Sequence, residues 1–445
     1  MVTRESARKW LWKWRFVWLA PALLAVGYVG YQGVLRYWLN RRIQAIRNAG
    51  YPATLEELDE WYGEPPPGKN AAEIYIRAAE VVSWPTDEQK PLLPLVGKAA
   101  LPPPGDPVPS QMISDVSTYL DANREAVRLF REGASRERCR YPTDLTEGIA
   151  ARHPPLGQIR IGTDLLALAA CRHSWKGDPE AAAKTLVASL ALADSPADAP
   201  LLVLHFVRLA SHRGPVSGLE YVLGRGALPV SSLNELEDAL RTLAGRTQGL
   251  LPALVGERMI FLQACKEVAN PESLSHWRTV WFQLASGLLH LDIIYFLDIM
   301  ERYIEAEQEP FPGRIETWRR LSSEVEGEVT GHEVRHFLTN MRMSSYFGRL
   351  ALSEAEYLAQ VRLALLAMAL EQFRLGNGRL PANLSELVPT YIEEVPADPF
   401  DGQAVRYRVE PPGYLLYSIG RNEADDGGTE TEDEETGDIV FRVRR

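Results

Sequence analysis

Apolar residues recur at helical spacing along most of this chain, and the period-two alternation of strands shows only near its C-terminal end. The most apolar stretch comes early. Residues 16–35 are twenty positions without a charge, about the length of one bilayer span. Trp10, Trp12, Trp14 and Trp18 lead into it, and Tyr28, Tyr31, Tyr37 and Trp38 mark its far end, as aromatic belts do at the two faces of a membrane. The pattern predicts a transmembrane helix over 16–36 behind a basic tail at 1–15, with the helix carrying on to Asn48-Ala49-Gly50. Ala25-Val26-Gly27 is a weak match to a signal-peptidase site. Helix-compatible residues continue past it, which favours an uncleaved anchor.

A juxtamembrane segment, 37–82, holds a second helical pattern at 70–82. Eight prolines between 83 and 109 exclude a helix, so 83–112 reads as a linker or an extended surface loop and as a boundary. From 113 to 345 helical patterns follow one another: an amphipathic run at 117–133, another at 162–175, and pairs at 200–223 and 231–244. Asp178-Pro179-Glu180 is a helix start, with an N-cap, a proline at the first helical position and an acid at the positive end of the dipole. Ser231 or Ser232 is the expected cap ahead of Glu235. Paired helices with short turns and no intervening strand predict a multi-helix, α-solenoid-like domain. Residues 280–299 are long enough to span a membrane, but Asp292 and Asp298 would each cost roughly 3 kcal/mol near the bilayer centre. With His290 beside them, they read as a buried helix of this domain.

One piece of punctuation occurs twice. Pro52-Ala53-x-Leu55-x-Glu57-Leu58-x-x-x-Tyr62 matches Pro381-Ala382-x-Leu384-x-Glu386-Leu387-x-x-x-Tyr391, each after a helix that ends at glycine. Thr54 with Glu57, and Asn383 with Glu386, have the spacing of a capping box.

Charge changes the picture at one place. Of the net −11, the window from Arg421 to Asp438 carries −8, from nine carboxylates against one arginine. Such a block repels phosphate backbones, which argues against a nucleic-acid partner. Three scattered cysteines (Cys139, Cys171, Cys265) are too few for a disulfide framework or a zinc knuckle; a Cys139–Cys171 bridge is conceivable outside the cytoplasm, and buried thiols are the plainer account.

The sharpest catalytic pattern is His332-Glu333-Val334-Arg335-His336. On a helix, His332 and His336 fall on one face where they can bind zinc, Glu333 can act as base on a metal-bound water, and Glu356 is a candidate third ligand. Thr330-Gly331 in place of an apolar lead-in, and the cation Arg335 inside the motif, point instead to a solvated helix start.

The C-terminal region, 346–445, has the densest set of signals. A helical run from Ser353 to Leu375 carries the stripe Leu358, Val361, Leu365, Leu366, Ala369, Leu370 and Phe373. Pro396 and Pro399 bracket Asp398 in a fixed turn, and strand-like 404–409 and 413–420 follow. Asn422, Asp425 and Asp426 precede Gly427-Gly428, and Asp438 comes after a gap. The order Asn377-Gly378-Arg379-Leu380-Pro381, Val395-Pro396-x-Asp398-Pro399-Phe400-x-Gly402, Gly413-Tyr414-x-Leu416-Tyr417-Ser418-x-Gly420, Gly427-Gly428, Asp438 resembles the globular part of the major pseudopilins of type II secretion. That resemblance implies a small α+β domain whose last loop binds Ca2+ through Asn422, Asp425, Asp426 and Asp438. It departs from the family in having Asn at 422 and a lengthened loop at 429–437. Calcium wants about six to eight oxygens around a flexible turn, and this loop is rich in them. The whole layout is similar to uncharacterised envelope proteins of planctomycete-type bacteria, a likeness that implies no activity.

The expectation is thus a mainly α protein of the inner membrane, anchored by 16–36, with a protein partner. Five basic residues before the span against four after it place the N-terminus inside. A calcium loop suits the exterior, which puts the bulk on the periplasmic side.

Overall fold

The computed structural model describes residues 4–150, 155–246, 249–268, 276–331, 339, 347–429, 431 and 436–445. Their side chains are described except at 4–18, 20, 149–150, 267–268, 276–288 and 329–331. It is mainly helical, with one small antiparallel sheet at the C-terminus.

The first helix, α1 (Arg4–Asn48), contains the apolar run and passes through Pro21 unbroken. Among the described residues no helix is long and apolar enough to cross a membrane; part of the 16–36 span falls on side chains outside them. The C-terminal third of α1 is built into the body. Leu39, Ile43 and Ile46 join a core made with α2 (Leu55–Tyr62), α8 (Leu202–Ser211), α11 (Leu251–Val268), α12 (His276–Ala306) and α13 (Gly313–Gly331). Arg42 pairs with Asp298 of α12 at 2.8 Å, and Asp292 is buried beside Thr339. Both aspartates of 280–299 therefore sit within the protein body, and the described part of α12 is a core helix.

A second core joins α3 (Ala72–Val81), α4 (Ser110–Ala122), α5 (Arg124–Gly133) and α6 (Leu156–Trp175). One sequence expectation is corrected here. The run expected over 117–133 starts at Ser110 and is split at Asn123, because that side chain turns away to accept from Ser83 N (2.8 Å) and donate to Tyr119 O (3.1 Å). Of the two readings of the proline-rich segment, linker or extended surface loop, the packing is that of a surface loop. Leu93 and Val96 enter this core, and the Pro104 carbonyl accepts from Arg225 at 2.7 Å.

The third core holds α6, α7 (Pro179–Asp194), α9 (Arg213–Arg225), α10 (Val230–Ala244), α14 (Phe347–Asn377) and the sheet. Asp178 caps α7 through Ala181 N (3.0 Å), with Pro179 opening the helix as its missing N–H allows. Neither Ser231 nor Ser232 caps α10. Pro229 precedes the helix, Leu233 N bonds its carbonyl at 3.0 Å, and Ser232 is buried within the first turn. Helices distant in sequence pack together here, α10 against α14 among them.

At 31 residues and 1.5 Å per residue, α14 is about 46 Å long. Its length lets one helix serve two cores: Phe347, Leu350 and Ala351 lie in the first, and Tyr357 through Phe373 in the third. Strands β1 (Arg406–Glu410), β2 (Gly413–Ser418) and β3 (Ile439–Val443) form the sheet in that order. The first two fall within the strand-like stretches 404–409 and 413–420 to within a residue, but β2 is buried at every position rather than alternately, because the core lies on one of its faces and the acidic loop covers the other. β3 was not expected from the sequence; it pairs Phe441 with Leu416 and Val443 with Tyr414.

The repeated punctuation is built alike in outline, but Thr54 opens an α-helix and accepts from the residue three positions on, whereas Asn383 opens a four-residue 3-10 helix and accepts from the residue two positions on. Gly50 (φ +83°) and Gly378 (φ +69°) follow the ends of α1 and α14 in the left-handed conformation that glycine adopts without a Cβ clash. Thr54 accepts from Glu57 N (3.2 Å) while Glu57 accepts from Ala53 N (2.7 Å). Asn383 accepts from Ser385 N (3.1 Å) while Glu386 accepts from Ala382 N (2.5 Å). In both copies the glutamate also pairs with an arginine, Arg47 or Arg379.

Candidate functional site

The acidic loop leaves β2 at Gly420 and returns at β3. Gly427 and Gly428 both have positive φ (+70° and +77°), so the turn can aim its amides at one carboxylate. That carboxylate is Asp438: Oδ2 accepts from Gly428 N at 2.6 Å and Oδ1 from Asp426 N at 3.4 Å. Burial pushes its carboxyl up, and the backbone N–H groups of Gly428, Asp426 and Thr429 oppose that shift. Asn422 Nδ2 donates to Asp426 Oδ2 at 2.8 Å. Three of the four expected ligands, Asn422, Asp426 and Asp438, are therefore drawn together. Asp425 is turned away: it accepts from Gly427 N (3.0 Å) and Tyr417 OH (3.1 Å) and lies 3.8 Å from Arg406 Nε.

Among the described residues, no group of three or more His, Cys, Asp or Glu side chains is placed to share a metal ion. The loop offers two carboxylates and one amide oxygen, so a calcium ion there would draw most of its roughly six to eight oxygens from backbone carbonyls or solvent. His332, Glu333 and His336 lie outside the described residues. Glu356 is described: Arg421 holds both its oxygens, Nη2–Oε2 at 2.7 Å, and also donates to Ser353 Oγ at 3.1 Å. That pair ties the start of the acidic loop to α14.

Beneath the loop, Asp398 is fully buried. Its Oδ1 accepts from Phe400 N (3.0 Å) and Ser418 Oγ (2.8 Å), its Oδ2 from Ile419 N (3.0 Å) and Arg406 Nη1 (2.6 Å). The prolines on either side present this carboxylate to the end of β2.

A buried polar network went unrecognised in the sequence. Helix α8 carries His205 and Arg208, and His212 follows its last residue; all three are buried. Arg208 Nε donates to Asp194 Oδ1 at 2.9 Å and Nη2 to Tyr357 OH at 3.1 Å. Its ring neighbours are Tyr357, with the guanidinium 4.6 Å from the ring centroid, and His205 pairs with Glu354. Arg246 continues the chain, 2.8 Å from Asp194 Oδ2 and 2.7 Å from Asp198. Burial alone would raise the Glu354 carboxyl, but His205, Arg208 and Arg314 together hold it below the ordinary carboxylate value. Burial, helped by Arg208, pushes His212 down to about 4. Its Nδ1 lies 2.7 Å from the Arg208 carbonyl, so the neutral ring donates there.

This network opens on a cleft of about 230 Å³ lined by Asp194, Ser195, Asp198, Arg246, Cys139 and Tyr75 among others. Burial raises the Cys139 thiol to about 12, so it is not a thiolate nucleophile at neutral pH. All three cysteines are free. The signal that could have found the network is His205 and Arg208 at i and i+3 in a largely apolar helix, with His212 just past its end, facing the one glutamate buried in the first half of α14.

No family model matches this chain, and comparison with curated proteins and with solved structures returns no similar chain.

Proposed function

We propose that this is a single-pass membrane-anchored protein of a bacterial envelope, its N-terminus inside, whose helical body is an interaction or assembly module held outside the cytoplasm. The observation that carries this reading is the surface of α1. Leu23, Leu24, Val26 and Val29 are 68%, 75%, 71% and 69% exposed, and at about 100° per residue they point to all sides of the helix. An apolar surface that surrounds a helix suits lipid better than a single docking groove. Arg36 and Arg41, exposed beyond it, suit a membrane–water boundary. The buried network and the punctuated helix ends support a rigid body rather than a moving one.

In the same reading the last loop takes up Ca2+ through Asn422, Asp426 and Asp438, and the α+β end serves as a stabilised cap related to secretion or pilus-like assemblies. Extraction of cell membranes with alkaline carbonate tests the anchor. The full chain should stay in the pellet and a chain starting at residue 39 should be soluble; a full chain released by carbonate would end the proposal. Melting of the chain in calcium and in chelator tests the loop, where an ion bound only by the folded state raises the melting temperature.

A further inference from the structure

Two adjoining concavities run between α9, α14 and the C-terminal loop. One, of about 300 Å³, is lined by Arg160, Phe206, Leu209, Arg213, Gln360 and Arg421 among others. The next, of about 380 Å³, shares Arg213, Glu356 and Gln360 with it and reaches Asp438. Small-molecule sites begin at about this volume.

The charge of the first cavity is unusual for a protein of net charge −11: three arginines and one glutamate face it. Glu356 is already saturated by Arg421. Arg160 makes no ion pair with a described residue, and its side chain is exposed. The carboxyl one helical turn along, Asp164, is pushed up to about 7 by burial, so near neutral pH it offsets Arg160 only in part. Gln360, half-buried where the cavities meet, makes no hydrogen bond to a described residue. The apolar side chains of Phe206, Leu209 and Ala210 on α8 line the same cavity.

We propose that this groove binds a small amphipathic oxyanion, its charged end at Arg160, its neutral polar atoms at Gln360 and its apolar body against Phe206, Leu209 and Ala210. Guanidinium groups recognise carboxylate and phosphate oxygens through paired N–H donors, and an amide next to them reads a neighbouring hydroxyl or carbonyl. Both a carboxylate and a phosphate ester satisfy this chemistry.

Calorimetric titration of the full chain in detergent micelles separates the outcomes, with benzoate, phenyl phosphate and the uncharged benzamide as probes. Saturable heat from benzoate or phenyl phosphate, and none from benzamide, is the expected result. The stronger of the two anions assigns the natural ligand to carboxylates or to phosphate esters. Arg160→Gln should weaken that binding by roughly tenfold or more and leave the melting temperature unchanged, since Arg160 holds no other element. Gln360→Leu, as a second variant, should weaken it less. The proposal is overturned if neither anion binds at millimolar concentration, if benzamide binds as well as benzoate, or if Arg160→Gln binds with unaltered affinity.

Discussion

Replacing Asp398 by alanine tests how the C-terminal sheet is held. The wild-type carboxylate is fully buried and accepts four hydrogen bonds, from Phe400 N, Ser418 Oγ, Ile419 N and Arg406 Nη1, at 2.6 to 3.0 Å. Alanine strands two backbone amides and a hydroxyl where water does not reach, at about 1–3 kcal/mol for each group left unsatisfied. Arg406 suffers less, because Asp401 still pairs with it at 2.5 Å. Some relaxation of the turn offsets part of the sum, and removal of one partner from a buried pair typically totals about 3–5 kcal/mol. Asp398→Asn should fall between, since an amide oxygen can serve Phe400 and Ser418 while its NH2 is turned on the Ile419 N–H and Arg406. The assay is amide hydrogen exchange read at Ile419 and along β2, backed by urea unfolding. Protection at Ile419 should drop by two or more orders of magnitude in the alanine variant, about 1.4 kcal/mol for each tenfold. Unchanged protection with an unchanged urea midpoint would refute the account of Asp398 as the clamp of this sheet.

Arg208→Met removes the cation that Asp194 and Glu354 share, but Arg246 and His205 still face them, so the expected loss is at the lower end of the about 3–5 kcal/mol for breaking a buried pair; a urea midpoint within error of the parent would contradict it. Arg128, exposed on α5 between Glu125 and Glu132, provides the contrast, since its alanine variant should move the midpoint by no more than an exposed pair allows, about 1 kcal/mol. Burial pushes the Glu307 carboxyl up to about 8 against the pull of Arg314, whereas in the unfolded chain it ionises near the ordinary 4.5. Between those values the native state keeps a proton that the unfolded state has lost, so this group's contribution to stability declines as pH rises. Glu307→Gln should therefore gain on the parent at pH 8 relative to pH 4 in melting scans, and a pH-independent difference would show that the carboxyl is not the cause. Thr54→Ala and Asn383→Ala remove the two helix-start acceptors, and each should lower stability by about 1 kcal/mol in denaturant titrations.

The sequence by itself determined the helical class, the end of α1 at Asn48, the caps at Thr54, Asp178 and Asn383, and the first two strands. Each depends on residues within a few positions of one another, so spacing alone reports them. It also singled out Asn422, Asp426 and Asp438, three residues that the loop does bring together. Tertiary structure decided the rest. Asp425 turns to Tyr417 because β2 passes within reach, and nothing local in the loop says so. Strand β3 is short, follows an acidic run, and gains its place by pairing with β2, by burying Phe441 and Val443 in the third core, and by Glu220 of α9 accepting from Arg442 N at 2.8 Å. The ionic network joins residues up to 149 positions apart, Arg208 to Tyr357. Desolvation makes such charges visible only after the helices pack; in the extended chain His205, Arg208 and Glu354 are ordinary polar positions. The same holds for Arg160 and Gln360, whose candidacy rests on a groove that four helices and a loop create together.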